Sequence, residues 1–97
     1  MTYKVGDKIK FKSEKRRYTI VGKTDRYLIC TKPFHLRGNK YIYTIVDLLD
    51  QVRGPDMWLF GKYDYSKNEE IDLALKELDS GECYISYRNR INLDIEE

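Results

Sequence analysis

Residues 5–31 read VGDKIKFKSEKRRYTIVGKTDRYLICT, three short strand-like runs separated by charged turns. In Lys8-Ile9-Lys10-Phe11-Lys12 apolar and basic residues alternate, the period-two pattern of a half-buried strand. Ile9 and Phe11 are expected to face a core, and Lys8, Lys10 and Lys12 to stand in a row on the opposite face. Gly6-Asp7 is a turn signal, because Gly tolerates positive φ and Asp bonds its own backbone. Ser13-Glu14-Lys15 suits a polar hairpin loop. Tyr18-Thr19-Ile20-Val21 is β-branched and aromatic and favours a pleated surface, and Gly22-Lys23-Thr24-Asp25 is expected to break it. Tyr27-Leu28-Ile29-Cys30 is apolar without alternation, as in a strand covered on both faces. Three such strands joined by tight turns form an antiparallel meander.

Onward from this stretch, residues 32–40 read as a loop. Pro33 lacks an amide proton and biases Lys32 away from helix, and Gly38-Asn39 is a turn dipeptide. Tyr41 to Leu48 is the strongest strand of the chain. Tyr41, Tyr43 and Ile45 share one face; Ile42, Thr44, Val46 and Leu48 share the other. Residues 50–56 read as a turn-rich connection, and Met57-Trp58-Leu59-Phe60 as a further short strand closed by Gly61. Trp58 suits either a core position or an exposed stacking platform.

The period then changes. Ser66-Lys67-Asn68-Glu69 has the S-x-x-E form of a capping box, Glu69 and Glu70 suit the first turn, and Ile71, Ala74, Leu75 and Leu78 draw one apolar stripe. Gly81 is a suitable stop. Cys83 to Ile95 is expected to return to strand. The spacing therefore predicts an α+β fold: a small antiparallel β-meander or partly open barrel of about five to six strands, with one amphipathic helix near residues 67–80. At 97 residues, 1–97 is expected to be a single domain.

Apolar residues make up 41% of the chain and charged residues 35%, which is a globule and not a disordered tail. No apolar run approaches the length of a membrane span, and Met1-Thr2-Tyr3-Lys4 does not resemble a signal peptide, so a cytosolic location is expected. Cys30 and Cys83 form no C-x-x-C pair and read as reduced core thiols; a zinc site from Cys30, His35 and Cys83 would need a fourth ligand.

Charge is unevenly placed. Residues 1–40 hold 12 Lys/Arg against 3 Asp/Glu, whereas residues 41–97 hold 6 against 13. Either one half meets an anionic partner, or the two halves attract each other within one fold. On the first reading Lys8, Lys10, Lys12, Arg16, Arg17, Lys32, Arg37 and Lys40 supply phosphate contacts. Tyr84, Arg88 and Arg90 form a second candidate group, because guanidinium forks bind phosphate and tyrosine stacks on bases. On the second reading these cations pair internally or guard a sheet edge. There is no Gly-rich phosphate loop, H-E-x-x-H, G-x-S-x-G or paired-cysteine metal motif, so neither a catalytic residue nor a cofactor is expected.

Phe11–Gly22 (FKSEKRRYTIVG), Ile29–Phe34 (ICTKPF), Tyr43–Asp47 (YTIVD), Val52–Gly54 (VRG) and Ser86–Ile95 (SYRNRINLDI) together resemble short phage and prophage proteins of Firmicutes, nearly end to end. The VGDKIKF opening is similar to small Src-homology-3-like barrels. The phage resemblance implies a cytosolic binder of a host protein or ribonucleoprotein complex. The leading expectation is a non-catalytic inhibitor of a bacterial antiphage defence component, for example a CRISPR nuclease, in which nine tyrosines and Trp58 supply contact area and the acidic half imitates phosphates. The alternatives are a small nucleic-acid-binding module and a sponge for a nucleotide signal.

Overall fold

The computed structural model describes residues 2–34, 40–54, 63–85, 87–88 and 90–96. Its strands are β1 (Lys8–Phe11), β2 (Tyr18–Lys23), β3 (Tyr27–Phe34), β4 (Lys40–Asp47), β5 (Val52–Gly54), β6 (Ile91–Asn92) and β7 (Ile95–Glu96), with helix α1 (Asn68–Ser80) between β5 and β6. All pairings are antiparallel, in the order β6-β5-β4-β3-β2-β1-β7. The two outermost strands are thus consecutive in sequence. Segment 91–96 leaves the β5 edge, where the Leu93 N–H donates to the Gln51 carbonyl, and reaches the β1 edge, where the Lys12 N–H donates to the Asp94 carbonyl. The sheet is curled into a partly open barrel, and this segment bridges its two ends.

The sheet has a core on each face. Inside the barrel lie Ile9, Phe11, Tyr18, Ile20, Leu28, Cys30 and Val46, joined by the partly buried Leu93 and Ile95 of the bridging segment. On the other face, Tyr27, Ile29 and Ile45 pack with Tyr63 and with Ile71, Ala74, Leu75 and Leu78 of α1. The apolar run 27–30 is therefore covered on both sides, as its lack of alternation requires. Burying the three large aliphatic side chains of the helix stripe contributes roughly 1.5–3 kcal/mol each.

Gly22 lies within β2 and does not end it. The pairing slips between Ile20 and Gly22, a bulge that turns Gly22 onto the helix face opposite Ile29. A Cβ there would lie 2.5 Å from Ile71 Cγ2 and 3.0 Å from Leu75 Cδ1, so the missing side chain is what lets α1 seat on the sheet.

The helix starts one residue later than the capping-box pattern implies. Lys67 is the N-cap and its ammonium cannot accept an N–H, while the Ser66 hydroxyl and N–H both donate to Asp64. At the other end Gly81 adopts φ 82°, and the N–H groups of Gly81 and Glu82 return to the Leu78 and Glu77 carbonyls in a Schellman stop.

Three further readings are corrected. Strand β3 continues through Lys32 and Pro33 to Phe34, so the loop begins later than expected. Pro33 lies beyond Thr31, where β2 pairing ends, so β3 pairs there with β4. Residues 52–54, read as a connection, form β5 after a turn in which Gln51 takes φ 57°. Among the described residues of 83–96, only 91–92 and 95–96 are strand, and 83–85, 87–88 and 90 are not. The further strand expected at residues 57–60, with Trp58 and Gly61, lies outside the described residues, as do His35 and Arg37.

Candidate anion-binding face

Cations in this fold fall into two kinds, and the sheet's geometry decides which. The first kind is neutralised internally. At the barrel seam Arg53 Nε donates to Asp94 Oδ1 at 2.8 Å and its Nη2 to Ser13 Oγ at 2.8 Å, while Nη1 lies 3.6 Å from Glu14 Oε2. The Ser13 hydroxyl and N–H both donate to Asp94 Oδ2, at 2.6 and 3.0 Å. The Arg53 guanidinium also lies over the Phe11 ring, 3.9 Å from its centroid, and its side chain is only 7% exposed. Glu14 further accepts the Tyr18 hydroxyl at 2.5 Å and the Lys32 ammonium at 2.9 Å. This network ties together the β1–β2 hairpin, β3, β5 and the bridging segment.

The electrostatics follow from that geometry. Burial alone would raise the Asp94 carboxyl, but the hydrogen bonds from Arg53 and Ser13 outweigh it and hold it down at about 2. Glu14 is likewise held below the usual carboxylate range, against burial, by Tyr18 and Lys32. Tyr18 is pushed up by burial and by donating to the Glu14 carboxylate. With each carboxylate already facing several donors, the network is a structural clasp and offers no free base. On the opposite side Arg26 clamps Asp47 through two bonds of 3.0 and 2.8 Å and reaches Asp50 at 3.3 Å, while Asp47 also accepts the N–H groups of Leu49 and Asp50.

Among the candidate residues, Lys32 is committed to Glu14 and lies over the Tyr18 ring. Lys10 pairs with Glu96 at 3.1 Å across β1 and β7. Both therefore answer charge within the fold. Lys40 opens β4, its side chain lying outside the described residues.

Lys8, Lys12, Arg16 and Arg17, with the neighbouring Lys15, are the second kind. All are exposed on β1 and the β1–β2 hairpin. Among the described residues none of these five side chains has an ion-pair or hydrogen-bond partner. Lys8, Lys10 and Arg17 converge on a notch of about 250 Å³ that also includes Tyr3, Ile95 and Glu96.

The second candidate group is arranged as a stack and not as an alternating strand. The Tyr84 and Tyr87 rings lie 5.7 Å apart, and the Arg90 guanidinium sits 4.0 Å from the Tyr87 centroid. Tyr87 is 76% exposed. Arg90 Nη2 donates weakly to the Ile85 carbonyl, and its buried Nε has no partner among the described residues. Arg88 is exposed beside this stack in sequence.

Cys30 and Cys83 are both buried and not in a disulfide, in the cores on opposite faces of the sheet. Burial pushes the Cys30 thiol up to about 12. Among the described residues no group of three His, Cys, Asp or Glu side chains converges to hold a metal, and no helix is long and apolar enough to cross a membrane.

The residues that sequence reasoning passed over are Ser13, Glu14, Arg53 and Asp94. Their local signals were a polar loop, a Val-Arg-Gly turn and an acid alternating with Leu93 and Ile95. No protein-family model, curated protein or solved structure matches the chain.

Proposed function

We propose that this chain is a non-catalytic binding protein of the phage or prophage type. It works in a bacterial cytosol by direct contact with a component of antiphage defence that carries nucleic acid, such as a guide-loaded CRISPR nuclease. The observation that carries this reading is the set of five exposed cations on β1 and the hairpin, which have no partner within the described fold although its carboxylates neutralise Lys10, Arg26, Lys32 and Arg53. Unpaired surface cations grouped on one strand and its turn are the electrostatic footprint of a polyanionic partner. The exposed Tyr84-Tyr87-Arg90 stack adds a surface on which an unpaired base can lie. The phage resemblance supplies the biological context.

A second reading, a nucleic-acid-binding module acting alone, draws on the same cations. Titrating the immobilised chain with purified RNA-guided nucleases, each with and without its guide, and with naked RNA and DNA separates the two. The expected result is saturable binding to a guide-loaded complex that weakens as salt rises. Equal affinity for naked nucleic acid assigns the module instead. Absence of binding to every complex and every nucleic acid at low salt contradicts both.

A further inference from the structure

We infer that the strip of the sheet's helix-side face beside α1 is a track for an unpaired nucleic-acid strand, running from Lys8 on β1 to Tyr41 and Tyr43 on β4. This rests on the reading of the hairpin as an anion-binding face, and it names the form of polyanion that face receives. The strand registers place the strip. Lys8 pairs with Thr19, Thr19 with Thr31, and Thr31 with Tyr43, so one cross-strand row joins four strands. Tyr43 packs against the core on the helix side, and residues directly opposite one another in a sheet share a face, so the whole row lies on that side. Helix α1 covers the neighbouring row, where Ile71 and Leu75 meet Gly22 and where Ile29 and Ile45 are buried. Lys8 is exposed, and Thr19, Thr31 and Tyr43 are half-buried. In the row beyond, Tyr41 pairs with Pro33 and both are exposed, Tyr41 by 56%.

The two ends of the strip differ in chemistry. At the β1 end Lys8, Lys10 and Arg17 stand against Asp7 and Glu96, three cations to two carboxylates, a net +1. Lys12, Lys15 and Arg16 extend the positive charge along the hairpin. At the β4 end the Tyr43 ring lies 4.9 Å from the Tyr65 ring, and Tyr41 follows Tyr43 on the same face. Burial raises the Tyr43 hydroxyl above its ordinary range, and the Asp64 carboxylate adds to this. A negative charge there disfavours a phosphate and leaves the ring faces to an uncharged base. Three strand-to-strand steps of about 4.8 Å put the two ends roughly 14 Å apart, room for successive nucleotides of one strand. A duplex keeps its bases stacked inside and meets only the cationic end, whereas an unpaired strand meets both.

The test is fluorescence anisotropy with one short sequence, as RNA and as DNA, each single-stranded or annealed to its complement. It is run on wild type, Lys8→Ala, Tyr41→Ala, Tyr41→Phe and Tyr87→Ala, the last probing the separate Tyr84–Tyr87 stack. A single strand is expected to bind about tenfold or more tightly than its duplex. Tyr41→Ala should erase most of that preference with little change in melting temperature, and Tyr41→Phe, which keeps the ring, should retain it. Lys8→Ala should make the log–log salt slope of single-strand binding less negative by about 0.7. Equal affinity for single strand and duplex, or a preference that survives Tyr41→Ala, overturns the track while leaving the hairpin face standing. A preference lost in Tyr87→Ala and kept in Tyr41→Ala puts the base on the other stack and overturns it as well. Failure of every form to bind at low salt overturns face and track together.

Discussion

Arg53 and Arg16 carry the same charge, yet one is a closing element of the barrel and the other stands in water. Arg53 lies on β5 with Asp94, Ser13 and Glu14 gathered around its guanidinium and Phe11 beneath it. Arg16 lies in the β1–β2 hairpin with no partner among the described residues. The difference teaches where the fold spends its carboxylates. Glu14, although it belongs to the basic half of the chain, is drawn inward to Tyr18, Lys32 and Arg53, so the hairpin's own acid does not neutralise the hairpin's own cations. The clasp stabilises the barrel and, by the same geometry, leaves the adjoining hairpin positively charged.

Breaking the clasp is expected to have the largest effect. Arg53→Met leaves Asp94 at a largely buried seam with Ser13 as its remaining donor and should cost about 3 kcal/mol in urea unfolding. A loss under 1 kcal/mol would mean that Arg53 does not hold the ends of the sheet together. Asp94→Asn keeps the shape but removes the charge, and about 2 kcal/mol is expected for the weakened charged hydrogen bonds.

Acid titration sharpens the same point. The folded Asp94 pKa lies below its ordinary value of 3.8, at about 2. Its contribution is therefore fully present above the ordinary value and is lost as pH falls toward 2. Wild type should lose stability across that window, and the Asp94→Asn variant should show a shallower decline. Identical acid branches would show that Asp94 is not engaged in solution. A smaller effect, between 0 and about 1 kcal/mol, is expected for Lys10→Gln, because the Lys10–Glu96 pair is exposed to solvent. Thermal melts of that variant and of wild type should nearly superimpose.

The parts of the fold that were legible in sequence are those dictated by local pattern. Tyr27 to Cys30 reads as a doubly covered strand because both cores draw on it, and Ile71, Ala74, Leu75 and Leu78 read as a stripe because one face of α1 meets the sheet. The helix start was misread because S-x-x-E does not reveal that Asp64 captures Ser66 first. Gly22 reads as a breaker, since only the assembled helix shows why a side chain is missing there. Strand β5 was illegible because burial of Arg53 depends on partners at positions 13, 14 and 94, each contributed by another segment. For the same reason local pattern listed Lys10, Lys12, Lys32 and Arg16 as equals. Only the pairing of β1 with β7, and the reach of Lys32 from β3 to Glu14, divides them into engaged and free.

The central claim is that the hairpin cations meet a polyanion while the clasp merely holds them. The most direct test is the salt dependence of short single-stranded RNA binding for wild type and for the triple variant Lys12→Glu, Lys15→Glu, Arg16→Glu. Each lost phosphate contact should make the log–log salt slope less negative by about 0.7. The account predicts a slope shallower by about 2 and a large loss of affinity at low salt, with stability within about 0.5 kcal/mol of wild type. An unchanged slope and affinity in a fully folded triple variant would contradict it.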